Sequence, residues 1–229
     1  GGHHTCAADA NGVTCWGWND YGQTTVPGGL VNPSAVAAGG IHSCAIDDNG
    51  LTCWGRGDEG QTTVPGGLVN PSAVAAGGYH TCAVDDNGVH CWGWDNYGQA
   101  TVPAGLVHPS AVIAAGLDHT CALYVNGVTC WGFNEQGQTE VPTSLADPSG
   151  VGVGGLHTCA LNDSDVACWG WNGFGQTTVP GGLVNPSEVS VGWDHTCALD
   201  DNGVHCWGVN DDGQATVPGG LVNPSAVAA

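Results

Sequence analysis

The chain has 229 residues, enough to enclose a substantial core, and carries one Lys or Arg against 21 Asp and Glu, for a formal charge of −20. That field repels phosphate backbones and anionic lipid headgroups, so the composition argues against nucleic-acid binding, and no apolar stretch is long enough for a membrane-spanning helix. Gly (40 residues) and Pro (12) are abundant, but they recur at fixed places beside Trp, Cys, Val and Leu, as turn residues of a packed repeat and not as a disordered tract.

The phrase HHTCAADANGVTCWGWNDYGQ, from His3, returns five times: from Ile41, Tyr79, Asp118, Leu156 and Asp194. The leading cysteines Cys6, Cys44, Cys82, Cys121, Cys159 and Cys197 are 38, 38, 39, 38 and 38 residues apart, so residues 1–229 read as a single domain of six near-identical units. No signal peptide is visible and the chain contains no Met, which suits a mature product or an excised piece and does not argue for the cytoplasm.

Within one unit, Ser72 to Pro103, the elements follow in order. SAVAA is a short small-residue strand, HTCAV a second, VHCWG a third, and QATV a fourth that ends at proline. A hairpin turning at Asp86 and Asn87, with Gly88 leaving the loop at positive φ, places Cys82 directly opposite Cys91.

That register predicts one disulfide per unit: Cys6–Cys15, Cys44–Cys53, Cys82–Cys91, Cys121–Cys130, Cys159–Cys168 and Cys197–Cys206. Closing each ten-residue loop contributes about 2.7 kcal/mol in the loop-entropy model. Metal ligation is the competing use of Cys and His, but H-x-C-x8-C lacks the close Cys pair of a zinc site, so no metal and no cofactor is expected.

His4, His42, His80, His119, His157 and His195 precede Thr or Ser and then Cys in every unit. A disulfide cysteine cannot be a nucleophile, so these histidines read as structural, bonding a turn or a neighbouring unit, and the protein as a non-enzyme. Trp16, Trp54, Trp92, Trp131, Trp169 and Trp207 read as packing surfaces between units.

The chain begins past the SAVAA strand and ends with SAVAA at Ser225–Ala229. The expected architecture is therefore all-β, a closed six-bladed β-propeller in which Ser225–Ala229 pairs with His4–Ala8 and the two termini complete one blade. Such a ring has no free sheet edge and should be monomeric.

The pattern G-x-x-H-T-x-A-L … G-x-V-x-x-W-G-x-N-x-x-G-Q, met at Gly154 to Gln176 and Gly192 to Gln214, resembles the repeat of the regulator of chromosome condensation (RCC1) family. The short spacing and the GQTTVP ending look most like secreted bacterial members, in particular propeller-type β-lactamase inhibitor proteins. The resemblance implies a propeller that binds another protein on one face, commonly with seven blades. The cysteine pairs depart from the intracellular branch, where such bridges would be reduced, and point to an extracellular or cell-surface setting.

Recognition on a repeated scaffold belongs where the units differ, and they differ most between WG and GQ. Those loops carry Trp18, Tyr21, Arg56, Trp94, Tyr97, Phe133, Trp171 and Phe174 among Asp and Asn, which makes them the candidate ligand-binding residues. Arg56-Gly57-Asp58 matches an adhesion tripeptide but occupies ordinary loop positions, and the DDNG turns are too short for a calcium loop. The expected function is a secreted, noncatalytic protein-binding module; a carbohydrate-binding propeller, with a polysaccharide as partner, and a structural segment of a larger extracellular protein are the alternatives.

Overall fold

A computed structural model describes residues 1–106, 109–162 and 164–229. Unit one is a two-stranded antiparallel sheet of β1 (His4–Asp9) and β2 (Gly12–Gly17). Units two and three are three-stranded: β3 (Ala35–Ala38), β4 (His42–Asp47) and β5 (Gly50–Gly55), then β6 (Ala73–Ala76), β7 (His80–Asp85) and β8 (Gly88–Gly93). Units four and five repeat this with β9 (Pro109–Ala115), β10 (His119–Tyr124) and β11 (Gly127–Gly132), then β12 (Gly150–Val153), β13 (His157–Leu161) and β14 (Val166–Gly170). Unit six contains β15 (Glu188–Val191), β16 (His195–Asp200) and β17 (Gly203–Gly208).

In units one, two, three, five and six the hairpin turn is capped from within by an Asp or Asn side chain. In unit three Asp85 pairs with Gly88, whose φ of 128° suits glycine, and the Asp85 carboxylate accepts the Asn87 N–H at 2.7 Å. This register sets Cys82 opposite Cys91, and the same pairing joins all six predicted disulfides, with Cα atoms 4.0–4.1 Å apart. The expected fourth strand is a correction: the GQ segment turns instead. Gly60 N donates to Gly57 O and Thr63 N to Gly60 O, so the backbone of this stretch bonds locally and is not extended along the sheet.

Consecutive sheets stack face to face. Ala75, Cys82 and Val84 of unit three meet Ile113, Ala122 and Trp131 of unit four in one buried cluster, and Cys159, Leu161 and Val166 of unit five meet Ala198 of unit six in another. Each large aliphatic side chain buried this way contributes about 1.5–3 kcal/mol. At the inner ends the units approach so closely that only glycine fits: a Cβ on Gly77 would lie 2.6 Å from the carbonyl oxygen of Gly116 in the next unit.

The last segment departs from the expected arrangement. Among the described residues β1 and β2 have no third strand, and Ser225–Ala229 is not paired with His4–Ala8. Instead Val227 N donates to Glu188 Oε2 (2.9 Å) and Ala229 N to Ser190 Oγ (2.8 Å). The cause is the repeat step: each inner strand lies beside the one a unit earlier, as β6 lies by β3, and the C-terminal segment takes one such step from β15. It therefore occupies the inner-strand place after unit six, and the termini do not complete unit one.

Candidate functional site

The residues common to all units form a lattice between neighbours. His4, His42, His80, His119 and His157 bond through Nε2 to the Ser43, Thr81, Thr120, Thr158 and Thr196 hydroxyls of the following unit at 2.8–2.9 Å. Each hydroxyl spends its own proton on the Gln carbonyl of the unit before it, as Thr81 does on Gln61 O at 2.8 Å. Trp54, Trp92, Trp131, Trp169 and Trp207 donate Nε1–H to the same carbonyls at 2.9–3.0 Å.

Counting protons assigns the tautomer: with each hydroxyl hydrogen committed, the histidine must donate from Nε2 and carry its lone pair on Nδ1. Burial opposes a charged imidazole and lowers the pKa to about 3 for His42 and His119 and to about 4 for His4, His80 and His157. A hydroxyl that donates away from a neutral imidazole, in a position without solvent access, is the reverse of an activated nucleophile. All twelve cysteines are bridged, and among the described residues no three His, Cys, Asp or Glu are placed to hold a metal ion.

The DDNG aspartates are equally committed. Asp85 is pushed up by burial, but bonds from Val69 N, Asn87 and His90 override this and hold it at about 2. Its acceptors face protein N–H groups, which explains the turn without any cation.

The WG-to-GQ loops lie at the other end of the hairpins and are rigidly built. The Gln61 and Gln99 side chains accept the N–H two residues earlier, at 3.0 Å, while Asn19, Asp95, Asn134, Asn172 and Asn210 accept from the N–H five residues later. Their aromatic rings stack edge on: Trp18 with Tyr21 (centroids 5.2 Å apart), Trp94 with Tyr97 (5.4 Å) and Trp171 with Phe174 (4.9 Å). Tyr97 also crosses to Phe133 of the next unit at 4.8 Å, and the Arg56 guanidinium lies 5.0 Å from the Tyr21 ring centre. Arg56 Nε further pairs with Asp58 at 2.8 Å, so the ends of the adhesion-like tripeptide bind each other.

The rings are thus shared between intramolecular stacks and solvent: Trp18, Trp94, Phe133 and Trp171 are half-buried, whereas Tyr21, Tyr97 and Phe174 are exposed. Three residues absent from the sequence-based set join them. His3 and Tyr79, from the position before each buried histidine, contact Trp18 (5.8 Å) and Trp94 (5.9 Å), and Trp193 tilts onto His3 at 5.7 Å. The available signal was the variation His3, Ile41, Tyr79, Asp118, Leu156, Asp194 beside an otherwise constant histidine. A hollow of about 210 Å³ lies among His3, Trp18, Tyr21, Arg56, Tyr79 and Trp193.

Four stretches, residues 34–61, 72–99, 112–138 and 187–214, match the family described as regulator of chromosome condensation (RCC1) repeat. No curated protein sequence matches the chain. Among solved structures, the ectodomain of the receptor kinase CR4 from Physcomitrella patens is 24% identical with a TM-score of 0.72, covering 90% of this chain and 59% of that one. The CRINKLY WD40 ectodomain of the Arabidopsis thaliana receptor kinase ACR4 gives 24% and 0.71, over 90% and 80%. Yeast RCC1 (Prp20), crystallised bound to Kap60, gives 22% and 0.74, over 92% and 69%. The chain spans about three-fifths of the CR4 ectodomain's length. The four stretches are similar to that repeat and the solved structures share its fold; neither singles out the bacterial inhibitor proteins.

Proposed function

We propose that this chain, a domain built of RCC1 repeats, is a noncatalytic protein-binding module of an extracellular or cell-surface setting, and that the face carrying the WG-to-GQ loops is its binding surface. The observation that carries this is the aromatic belt itself. Side chains that differ from unit to unit are held on capped loops and leave Tyr21, Tyr97 and Phe174 open to solvent, while the residues common to all units are consumed in the lattice between sheets. Exposed rings on a rigid support supply contact area at little entropic cost.

Charge selects the partner class. With −20 on the chain and Asp20, Asp58, Glu59, Asp95, Glu135, Asp211 and Asp212 on the same loops, encounter favours a partner with a basic patch and disfavours nucleic acid. The six disulfides suit an oxidising environment. Capture of partners from extracellular fluid, with the wild type and a Tyr97→Ala/Phe174→Ala double variant as paired baits, tests the reading. A protein retained by the wild type and lost by the equally stable double variant supports it; equal retention by both moves the site off this face.

A carbohydrate ligand is the second reading, favoured by rings flanked by Asn and Asp, as Trp18 is by Asn19 and Asp20. A glycan array probed with the same two proteins decides it: ring-dependent glycan binding without a captured protein would replace the first reading.

A further inference from the structure

Six Asn-Gly steps occur in the chain: Asn11-Gly12, Asn49-Gly50, Asn87-Gly88, Asn126-Gly127, Asn172-Gly173 and Asn202-Gly203. At such a step the backbone can attack the asparagine side chain with little hindrance, because glycine presents its nitrogen with no side chain beside it. Whether it does so depends on how the asparagine amide is held, and in this respect one step differs from the other five.

Asn11, Asn49, Asn87 and Asn202 stand in hairpin turns, each two residues after an aspartate that clamps it. One carboxylate oxygen accepts the asparagine N–H at 2.7–2.9 Å and the other accepts its Nδ2–H at 3.1–3.5 Å. In unit three the same carboxylate also accepts the N–H of Gly88, the nitrogen that would attack, at 3.1 Å. The clamp opposes attack twice: it fixes the amide, and a carboxylate, charged at neutral pH, disfavours loss of the proton that the nitrogen must give up to become a nucleophile. Asn172, in the WG-to-GQ loop of unit five, is held instead by the Thr177 N–H and the Thr178 hydroxyl, each at 3.0 Å.

Unit four has no clamp. Its turn reads Tyr124-Val125-Asn126-Gly127, with tyrosine in place of the aspartate. The Tyr124 hydroxyl points back along the hairpin and accepts from Thr129 at 3.1 Å, and Val125 is 86% exposed. Asn126 is exposed, and among the described residues its side-chain amide bonds to nothing.

We infer that Asn126 is a self-modification site, deamidating through a cyclic imide in the folded protein while the held Asn-Gly steps persist. The Gly127 nitrogen attacks Asn126 Cγ, the Cγ–Nδ2 bond breaks, and ammonia leaves with the proton that the Gly127 nitrogen gave up. Water then opens the five-membered imide at one of its two carbonyls, leaving aspartate or, where the main chain now runs through the side-chain carbon, isoaspartate. One water is consumed and one ammonia released, so no oxidant, reductant or enzyme is required. The product adds a negative charge to the turn and, as isoaspartate, a backbone methylene. The hairpin withstands both, because the Cys121–Cys130 bridge and the ladder from His119–Gly132 to Leu123–Val128 lie outside the altered bonds.

The test incubates the purified chain at body temperature and mildly alkaline pH and follows each Asn-Gly step by mass spectrometry of chymotryptic peptides, with isoaspartate resolved by retention time. Asn126 is expected to deamidate about tenfold or more faster than Asn49, Asn87, Asn172 and Asn202. In concentrated denaturant with the bridges intact, the rates should converge, because the clamps belong to the fold. A Tyr124→Asp/Val125→Asp variant restores the Asp-Asp-Asn-Gly turn of unit three and should slow Asn126 about tenfold. Equal rates at the five asparagines of the folded chain would overturn the proposal, as would a preference for Asn126 that survives in denaturant and so belongs to its sequence neighbours alone. An unchanged Asn126 rate in the variant, with its melting temperature preserved, would overturn it as well.

Discussion

The junction between units two and three and the seam between units six and one are built from the same residue types, yet one is a packed interior and the other a surface. At the first, His42 reaches Thr81, Thr81 and Trp92 share the Gln61 carbonyl, and Val69 and Asn70 are held by Asp85 and Asp86. At the second, His195, Thr5, Trp16, Val222 and Asn223 make none of these bonds. A repeat residue here is structural only by virtue of the neighbour it meets, so its energetic worth is a property of the junction and not of the unit.

The largest effects should follow from breaking a filled junction. His80→Ala removes a fully buried ring and its bond to Thr120 and should cost about 2–4 kcal/mol in denaturant unfolding, against less than about 0.5 kcal/mol for His195→Ala. Equal losses would erase the distinction between the two regions. Gly77→Ala, which forces a methyl group against the Gly116 carbonyl, should cost about 1–3 kcal/mol by the same measurement.

Acid should act on the filled junctions together. The five bonded histidines have folded pKa values of about 3–4 against 6.5 for the free side chain, so below pH 6.5 the unfolded chain takes up protons that the folded one refuses. Stability is complete above pH 6.5 and falls until the folded pKa is reached; Asp85, held at about 2 against 3.8, adds a second loss between those values. Melting temperatures across pH 7 to 3 should therefore decline continuously, and a flat profile down to pH 4 would contradict the buried neutral imidazoles. Smaller still, Trp131→Phe deletes the bond to Gln99 O and should cost about 1 kcal/mol, while Trp16→Phe should stay within about 0.5 kcal/mol. Tyr97→Ala and Phe174→Ala, at exposed ring positions, should change the melt least while weakening partner binding most.

Much of this arrangement is legible in the sequence because a period near 38 residues and a nine-residue cysteine spacing constrain hairpin register directly. Cys82 opposite Cys91 follows from counting residues back from a two-residue turn. What counting does not deliver is the third dimension between units. The bond from His80 to Thr120 spans forty residues, and the turn at Gln61 leaves its carbonyl to Thr81 and Trp92, whereas the local composition of QTTV reads as a strand. The place of Ser225–Ala229 likewise depends on the step between sheets, which no local pattern encodes. His3, Tyr79 and Trp193 were missed as members of the aromatic belt because they stand beside conspicuous histidines in a different loop, and only the fold brings that loop to the WG-to-GQ face.

Amide hydrogen exchange of the unmodified 229-residue chain, read on residues 4–17 and on their counterparts 80–93, compares an open face with a filled one inside a single molecule. Slow exchange at 80–93 and fast exchange at 4–17 is the result expected if neighbours, and not the repeat sequence, create the protected interior. Equal protection of the two hairpins would contradict the account, because it would mean that unit one is covered as unit three is and that no open seam exists.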